Sequence, residues 1–434
     1  MRTVDIIEKK KLGQELTDEE IAFFIKGYTE GTVPDYQASA LAMAVYFQDM
    51  SDREISTLTL CMRDSGDTVD LSDIPGIKVD KHSTGGVGDK VTMIVAPIAA
   101  ACGVPIAKMS GRGLGFTGGT IDKLESIPGL STAVDNERFF KQVKDMGIAV
   151  VGQTGNLCPA DKKLYALRDV TATIDSIPMI ASSIMSKKLA AGSDRILLDV
   201  TTGSGAFMKS TERAMKLAER MVAIGTAAGR KTVAIVTDMN TPLGRCVGNR
   251  LEVMEAVDAL HGKAETELME ICLTFASNMI LLGEKAETIE EAESMVERVI
   301  SDGSAYKKFR DMVMAQGGDV SYIDDISKLE LAPIEYEIKA AKSGYIHNID
   351  ALAVGEASML LGAGRETKDD NIDFGAGIYL EKLVGDYVNE GDTILRLYTS
   401  DKSKISNAGR RLEGAIVISE NKPEGKSKII GKVE

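Results

Sequence analysis

The sequence contains no tryptophan, and aromatic residues make up only 5% of its 434 residues. This shortage argues against a platform on which the bases of single-stranded nucleic acid could stack. Positive charge is also in the minority, since 51 lysines and arginines face 65 acidic residues and leave a net charge of −14. Such an acidic surface repels nucleic acid and anionic membranes, so an anionic ligand would need a local positive pocket.

Histidine and cysteine are scarce as well. The three histidines, His82, His261 and His347, are too scattered to predict a zinc site. The five cysteines are odd in number and widely spaced, and no Cys-x-x-Cys pair occurs. This pattern is typical of reduced thiols in a cytoplasmic protein. The stretch MRTVDIIEKKK lacks the apolar region of a signal peptide, so none is expected.

One segment comes close to membrane-spanning length, because the seventeen residues 91–107 carry no charge. Pro97, Gly103 and Pro105 interrupt this segment. We therefore expect a buried helix followed by a buried strand rather than a membrane span.

The order of predicted elements indicates an α/β fold with a small all-α domain and a C-terminal α+β domain. Residues 1–65 read as helical, with capping boxes that start at Thr17 and Ser51. From about residue 76, short apolar strands alternate with helices and predict a mostly parallel central sheet flanked by helices. The predicted strands are Ile77–Asp80, Val104–Ala107, Ala149–Val151, Arg195–Val200 and Thr232–Thr237.

A chain of this length is too long for one ordinary core, so we expect two or three domains. Helical character returns in 159–191, and strand-like alternation begins after residue 330. We predict an α domain, an α/β domain and a C-terminal α+β domain, formed by 1–66 with 160–190, by 67–159 with 191–330, and by 331–434.

The first informative loop is KHSTGGVGDK, residues 81–90, which follows a predicted strand and precedes a helix. Its glycines let backbone N–H groups converge on an anion, and the helix start adds partial positive charge. Ligands gather at the carboxyl ends of parallel strands, so we favour an anion-binding loop over a plain tight turn. His82 lies in this loop and is the candidate proton donor.

A second glycine-rich loop, KMSGRGLGFTGGT, covers residues 108–120 after the next strand. It contains Gly-x-Gly-x-x-Gly at 113–118, which keeps an NAD-dependent oxidoreductase open as an alternative. Against that alternative, the loop carries more phosphate donors than a dinucleotide turn uses: Lys108, Ser110, Thr117 and Thr120. Two such loops on neighbouring strands predict two sides of a site for one phosphate.

A third feature is Arg168, followed by Ser183 and Lys187. Ser183 and Lys187 are four residues apart and share a face if the segment is helical. An arginine, a hydroxyl and a lysine are suited to hydrogen-bond a planar heterocycle. An exposed basic helix face explains the spacing equally well.

The sequence resembles the thymidine/pyrimidine-nucleoside phosphorylase family along essentially its whole length, most clearly in KHSTGGVGDK, SGRGLGFTGGTIDKLESIPG and LRDVTATIDSIPMIASSIMSKKLAAG. The resemblance implies a cleft between the α and α/β domains and reversible phosphorolysis of pyrimidine nucleosides. Inorganic phosphate is then the co-substrate, no organic cofactor is required, and the N-terminal helices form a homodimer contact.

The resemblance also implies roles for particular residues. His82, Lys187 and Arg168 would be catalytic, with His82 acting on the base carbonyl beside the glycosidic nitrogen. Phosphate would be held by Lys81, Ser83, Thr92, Lys108, Ser110 and Thr120, and the base by Arg168, Ser183 and Lys187. A potassium ion would be held, mainly through backbone oxygens, by Gly88, Lys90, Leu243, Cys246 and Glu255. Hinges for cleft closure are expected near 67–70, 155–159 and 188–192.

Three other interpretations remain open at this stage. One is a phosphorylase restricted to thymidine. Another is an anthranilate-type phosphoribosyltransferase, which shares this architecture but usually needs magnesium-binding carboxylates that are not evident beside Gly85. The last is a nucleoside-binding module that binds without turnover.

Overall fold

Helices occupy the N-terminal region of the computed structural model, which describes residues 1–113, 115–116, 118–153, 156–365, 367 and 370–434. They are α1 (Thr3–Lys11), α2 (Asp18–Glu30), α3 (Asp35–Gln48) and α4 (Asp52–Arg63). The capping boxes predicted at Thr17 and Ser51 are confirmed, since these hydroxyls cap α2 and α4.

Strands and helices then alternate, as predicted. The strands are β1 (Val79–Ser83), β2 (Ile106–Ser110), β3 (Ile148–Gly152), β4 (Arg195–Thr202) and β5 (Lys231–Asp238). The helices are α5 (Val91–Ala101), α6 (Thr120–Glu125), α7 (Asn136–Met146), α8 (Pro159–Asp169), α9 (Ile177–Ala190) and α10 (Thr211–Ala227). The uncharged segment 91–107 is thus a buried helix that leads into a buried strand, as expected. Among the described residues, no helix is both long and apolar enough to cross a bilayer.

The remaining elements follow in two groups. The helical group consists of α11 (Asn249–Leu260), α12 (Thr266–Leu282), α13 (Ile289–Ser301), α14 (Ser304–Ala315), α15 (Ser321–Asp324) and a 3₁₀ turn (Ile326–Lys328). A short strand, β6 (Cys246–Val247), precedes this helical group. The C-terminal part contains the helices α16 (Ala351–Ser358) and α17 (Lys404–Leu412), a π turn (Met359–Ala363), and the strands β7 (Ile334–Lys339), β8 (Gly344–Ile349), β9 (Gly377–Leu380), β10 (Tyr387–Val388), β11 (Thr393–Thr399), β12 (Ile416–Ser419) and β13 (Ile429–Val433).

The central sheet has the strand order β1-β4-β5-β13, in which β1, β4 and β5 are parallel and β13 is antiparallel. The parallel pair β2-β3 lies beside β1, where the Val79 amide donates to the Pro105 carbonyl over 3.3 Å. Two antiparallel sheets, β10-β8-β12 and β6-β9-β11-β7, are formed by the other C-terminal strands together with β6. The predicted fold class, with its mostly parallel central sheet, is therefore confirmed.

The first strand extends further than the sequence suggested. Its parallel ladder with β4 continues to Ser83, which pairs with Asp199, whereas the prediction ended the strand at Asp80. Lys81 and His82 therefore lie on the strand and not in the loop after it. The same holds for Lys108 in β2, which pairs with Val150 of β3.

Each face of the central sheet is covered by its own apolar core. Leu197 of β4 packs on one face with α5 and α11–α14, while its neighbours Ile196 and Leu198 pack on the other face. This is the alternation expected of a strand buried on both sides. The second core also contains α1–α4, α8, α9 and α10, so the helical segment 159–191 packs with the N-terminal helices as expected. A third core lies within the C-terminal part.

The three expected hinge segments meet at one place. The Asp67 amide donates to the Asn156 carbonyl over 3.1 Å, and the Val69 amide donates to the Ala190 carbonyl over 2.7 Å. Gly192 has φ +83°, and a Cβ there would lie 2.1 Å from the Val69 carbonyl oxygen. Gly155, which was included in the hinge prediction, lies outside the described residues. The junction is therefore a backbone contact that only glycine permits at residue 192.

We expect Gly192→Ala to destabilise the protein by about 2 kcal/mol more than Gly229→Ala, because both glycines have positive φ but only Gly192 approaches another backbone closely. Gly229 has φ +72° with nothing within 4 Å of its Cβ position, so it controls for strain alone. Melting temperatures of the two variants measure the difference. Equal melting temperatures would contradict a tight junction at residue 192.

Candidate active site

The two glycine-rich loops meet at the carboxyl ends of β1 and β2. The Lys108 ammonium donates to the Lys81 carbonyl over 2.5 Å, which joins the two strand ends directly. A cavity of about 270 Å³ opens between the loops and the helical part. Its lining includes His82, Ser83, Asp89, Thr92, Lys108, Ser110, Arg112, Thr120, Tyr165 and Lys188. Both loops therefore line one cavity, as their positions on neighbouring strands predicted.

A larger cavity of about 490 Å³ lies elsewhere, between α11 and the C-terminal sheet. Its main charged groups already pair with each other, since Arg245 contacts Glu265 and Arg396 contacts Glu381. Neither glycine-rich loop lines it. We therefore take the smaller cavity as the candidate site.

Asp80 organises the positive charge around the cavity. This buried carboxylate lies 3.1 Å from the Lys108 ammonium and 2.9 Å from the Lys188 ammonium. Burial alone would raise the pKa of Asp80, but the attraction of these two lysines holds that pKa below its ordinary value. Two ammonium groups thus share one carboxylate at the wall of the cavity, which the carboxylate of Asp89 also lines. In a chain of net charge −14, two lysines side by side at one cavity are a local concentration of basic groups.

The same surroundings change the titration of Lys108 and His82. Burial lowers the pKa of Lys108 to about 7, because Asp80 offsets only part of the cost of removing an ammonium from water. Burial also lowers the pKa of His82 well below its ordinary value, and the charges of Lys188 and Lys108 lower it further. Without a bound anion, His82 is therefore neutral at pH 7.

Four hydroxyls accompany these groups. Ser83 ends β1, Ser110 ends β2, and Thr120 begins α6. Thr92 lies in the first turn of α5, whose N-terminal end faces the same cavity. Partial positive charge at a helix N-terminus favours an anion there. The four hydroxyls predicted for phosphate thus surround one volume.

Lys81 is an exception among the predicted phosphate residues. Its ammonium is buried, lies 2.9 Å from Asp199 and 5.2 Å from the centre of the Phe275 ring, and does not line the cavity. In this arrangement Lys81 does not bring its side chain to the cavity, and its contact with phosphate stays a prediction. Its carbonyl instead receives the Lys108 ammonium.

The predicted base residues lie on α8 and α9. Lys187 donates to Asp161 over 2.6 Å and to the Ser183 hydroxyl over 3.0 Å, so Ser183 and Lys187 do share a helix face. This pair does not line the 270 Å³ cavity, but Tyr165 of α8 and Lys188 of α9 do. The helices α8 and α9 thus contribute both to the 270 Å³ cavity and to the cluster of Asp161, Ser183 and Lys187.

Arg168 is turned into the protein rather than toward the cavity. Its guanidinium donates to the carbonyls of Thr173, Ile174 and Met179 over 3.2, 2.6 and 3.3 Å, and the residue is only 1% exposed. Three of its five N–H donors are used in this way. Burial lowers the pKa of Arg168 to about 10, which still leaves it charged at pH 7. Its predicted contact with a base is therefore not present in this arrangement.

The residues expected to hold potassium do come together, but they do not fit the ion. The Lys90 ammonium donates to the carbonyls of Leu243 and Cys246 over 2.7 and 3.0 Å and to the Glu255 carboxylate over 2.5 Å. The oxygens expected to bind potassium therefore already bind a cation, the ammonium group of Lys90. A lysine side chain also has no lone pair for a metal when it is charged.

Several site residues were missed at the sequence level, chiefly Asp80, Asp161 and Lys188. A signal for Asp80 was available, because a charged residue on a buried strand must have partners. Lys188 directly follows the predicted Lys187, yet only the packing of α9 shows that the two lysines reach different partners.

Family models describe three parts of the chain. Residues 76–306 match the model of the glycosyl transferase family a/b domain, and 4–66 match its helical bundle domain. Residues 345–419 match the pyrimidine nucleoside phosphorylase C-terminal domain. The fold and the site thus define a glycosyl transferase built from a helical part, an α/β part and a C-terminal part.

Curated relatives narrow this class. The chain is 56% identical over 418 residues to a pyrimidine-nucleoside phosphorylase of Staphylococcus haemolyticus (strain JCSC1435), and the alignment covers 96% of both chains. It is 55% identical over 421 residues to one of Staphylococcus aureus (strain MSSA476), with 97% of both covered. The chain belongs to the pyrimidine-nucleoside phosphorylase family, as its resemblance predicted.

The solved structures place the fold in a wider group. Anthranilate phosphoribosyltransferase from Thermus thermophilus aligns with 71% of this chain and 98% of its own, with a TM-score of 0.58 and 19% identity. At this identity the likeness shows a shared fold and nothing about substrate.

The loop that suggested NAD binding runs from β2 into the six-residue α6, where the Gly113 amide donates to Asp122 over 2.9 Å. Thr117, a predicted donor, lies outside the described residues.

We expect the affinity for sulfate, used as a probe of the cavity, to weaken as the pH rises through about 7, since Lys108 then loses its charge. The dissociation constant should rise by up to about tenfold per pH unit above that point. Sulfate keeps both charges throughout, so its own titration does not contribute to the profile.

Lys108→Arg is the matched control, because arginine stays charged over the whole range. Its sulfate affinity should be flat between about pH 6 and pH 9, as measured by calorimetry. A flat profile for the unmodified protein would contradict the role given to Lys108.

Proposed function

We propose that the protein catalyses the reversible phosphorolysis of pyrimidine nucleosides. Uridine, thymidine or deoxyuridine would react with inorganic phosphate to give the free base and ribose or 2-deoxyribose 1-phosphate. The observation that carries this proposal is the cavity in which Lys108, Lys188 and four hydroxyls surround one volume beside His82. The printed names of the relatives support the same activity.

The phosphate half of the proposed site consists of Ser83, Thr92, Lys108, Ser110 and Thr120. The two lysines beside Asp80 attract the dianion, and the hydroxyls replace its water shell. Hydrated phosphate is a poor nucleophile, so removal of water and fixed orientation against C1′ are the main contributions here. Lys81 would act as a positioning residue, because it neutralises Asp199 beneath the loop.

The base half consists of Ser183, Lys187 and Arg168. The bond between C1′ and the base nitrogen breaks as phosphate attacks from the opposite face, which inverts C1′ and gives the α-phosphate. Negative charge then grows on the base, where Lys187 and Arg168 would stabilise it. His82 would donate a proton or hydrogen bond to the base carbonyl.

Phosphate binding would prepare His82 for that step. Its pKa is held low mainly by burial and by the nearby lysines, and a bound dianion offsets the charge of those lysines. The pKa of His82 therefore rises when phosphate is present. The acid is thus formed after the nucleophile has bound.

The two halves must approach each other for reaction, since Ser183 and Lys187 lie outside the cavity that holds the phosphate groups. We propose that the α domain closes on the α/β domain about the junction of 67–70, 156–159 and 188–192. Closure would exclude water at the moment of bond breaking.

The wider setting is also part of the proposal. A homodimer would form through the N-terminal helices, where Tyr36 and Phe47 at the two ends of α3 are strongly exposed while Leu41 packs inside its own chain. A cytoplasmic location fits the five cysteines, which are all within the described residues and free.

Potassium is not part of the proposed function, because the Lys90 ammonium occupies the oxygens expected to hold the ion.

The decisive experiment is incubation with uridine, with and without phosphate, while uracil release is followed. We expect release only with phosphate, together with ribose 1-phosphate in equal amount. Release without phosphate would indicate a hydrolase, and binding without release would indicate a carrier. Parallel kinetics with thymidine distinguish the broad enzyme from a thymidine-restricted one.

Variants at the two halves should have different kinetic effects. His82→Ala should lower kcat about 100-fold or more with little change in the KM for phosphate, because it removes a general acid. Lys187→Ala should mainly impair use of the nucleoside. His347→Ala, at an exposed position of β8, should leave both constants unchanged. Normal turnover in His82→Ala would refute the acid role.

A further inference from the structure

The contacts of Lys90 form a closed cation site. Its ammonium has three N–H donors, and three oxygens receive them: the Leu243 carbonyl, the Cys246 carbonyl and Glu255. The side chain is fully buried. Every N–H of the ammonium is therefore matched by one oxygen.

We propose that the Lys90 ammonium is a covalently attached substitute for a bound monovalent cation, so that this protein needs no potassium. The donor set is the one that the family resemblance assigned to potassium. In this chain one of its five members carries a positive charge onto the oxygens of three of the others.

Charge and space both exclude a second cation. Glu255 and Lys90 balance each other, and the nearby Glu252 is already paired with Lys123 over 2.6 Å. The oxygens of Glu255 also receive the amides of Arg245 and Cys246 over 2.7 and 2.9 Å. A free ion here would add an unbalanced buried charge, which is costly.

The backbone closes the remaining space. Gly88 has φ +75°, and a Cβ there would lie 2.6 Å from the Leu243 carbonyl oxygen. The Leu243 amide donates to the Val87 carbonyl over 3.0 Å. The first glycine-rich loop therefore lies directly on the segment that supplies the carbonyls.

This arrangement links the cation to the candidate active site. Lys90 immediately precedes α5, and Thr92 in its first turn lines the cavity. The ammonium thus fixes the end of the first loop and the start of α5 against the 243–255 segment. Lys90 is a positioning residue for the phosphate half, and its charge is always present because it does not have to be captured from solution.

The test compares salts that differ only in the cation. Phosphorolysis and the melting temperature of the unmodified protein should be the same in potassium, sodium and tetramethylammonium chloride. Only the kinetic readout rests on the proposed function, because the melting temperature needs no turnover.

Two variants make the test specific. Lys90→Ser leaves the oxygens and opens space, so activity should fall about tenfold or more and the melting temperature should drop, since a buried carboxylate loses its partner. Potassium should raise both, because an ion that binds only the folded state stabilises it. Lys90→Met fills the space without charge and should not respond to potassium.

A distant control separates this effect from the loss of any buried ion pair. Lys10 pairs with buried Glu54 over 2.9 Å in the helical part, so Lys10→Ser should lose stability without gaining a response to potassium. Specific stimulation or stabilisation of the unmodified protein by potassium would overturn the proposal, even if neither Lys90 variant folds. A Lys90→Ser protein that is indifferent to potassium would overturn it as well.

Discussion

The site depends on the sharing of one buried carboxylate by two lysines. Asp80 lies on β1, Lys108 on β2 and Lys188 on α9, so their contacts of 3.1 and 2.9 Å join the two strand ends to the helical part. Without Asp80 two ammonium groups would repel each other in a water-poor volume. With it, the two ammonium groups lie side by side at the cavity, where an incoming oxyanion would meet them. The neutral state of His82 and the lowered pKa of Lys108 follow from the same burial and charge.

Much of the fold could be predicted because local patterns decide it. The capping boxes at Thr17 and Ser51 fixed two helix starts, and apolar runs between glycine-rich loops located the five strands that carry the site. The ends of the strands were less accessible. β1 continues to Ser83 because β4 offers it a partner as far as Asp199, and pairing between segments so distant in the sequence is not visible in a local pattern.

The site was predicted unevenly for a related reason. Residue types and spacing identify groups that can bind an anion, and Ser83, Thr92, Lys108, Ser110 and Thr120 do surround one volume. They do not show which way a side chain turns, and in this arrangement Lys81 contacts Asp199 while Arg168 contacts backbone carbonyls. Lys90 could have been questioned from the sequence alone, because a charged ammonium is a poor member of a metal site.

The neighbouring residues Lys187 and Lys188 give the last turns of α9 two separate attachments. Lys187 is held by Asp161 and Ser183, and Lys188 by Asp80 on the sheet. Adjacent residues on a helix project about 100° apart, so the C-terminal end of α9 is held by contacts on two different sides. A ligand that contacts one of these lysines therefore changes how the helix end is held through the other. If phosphate binds beside Lys188 and the base beside Lys187, as proposed, occupancy by the two substrates would be reciprocally coupled, each altering the affinity for its companion by the same factor.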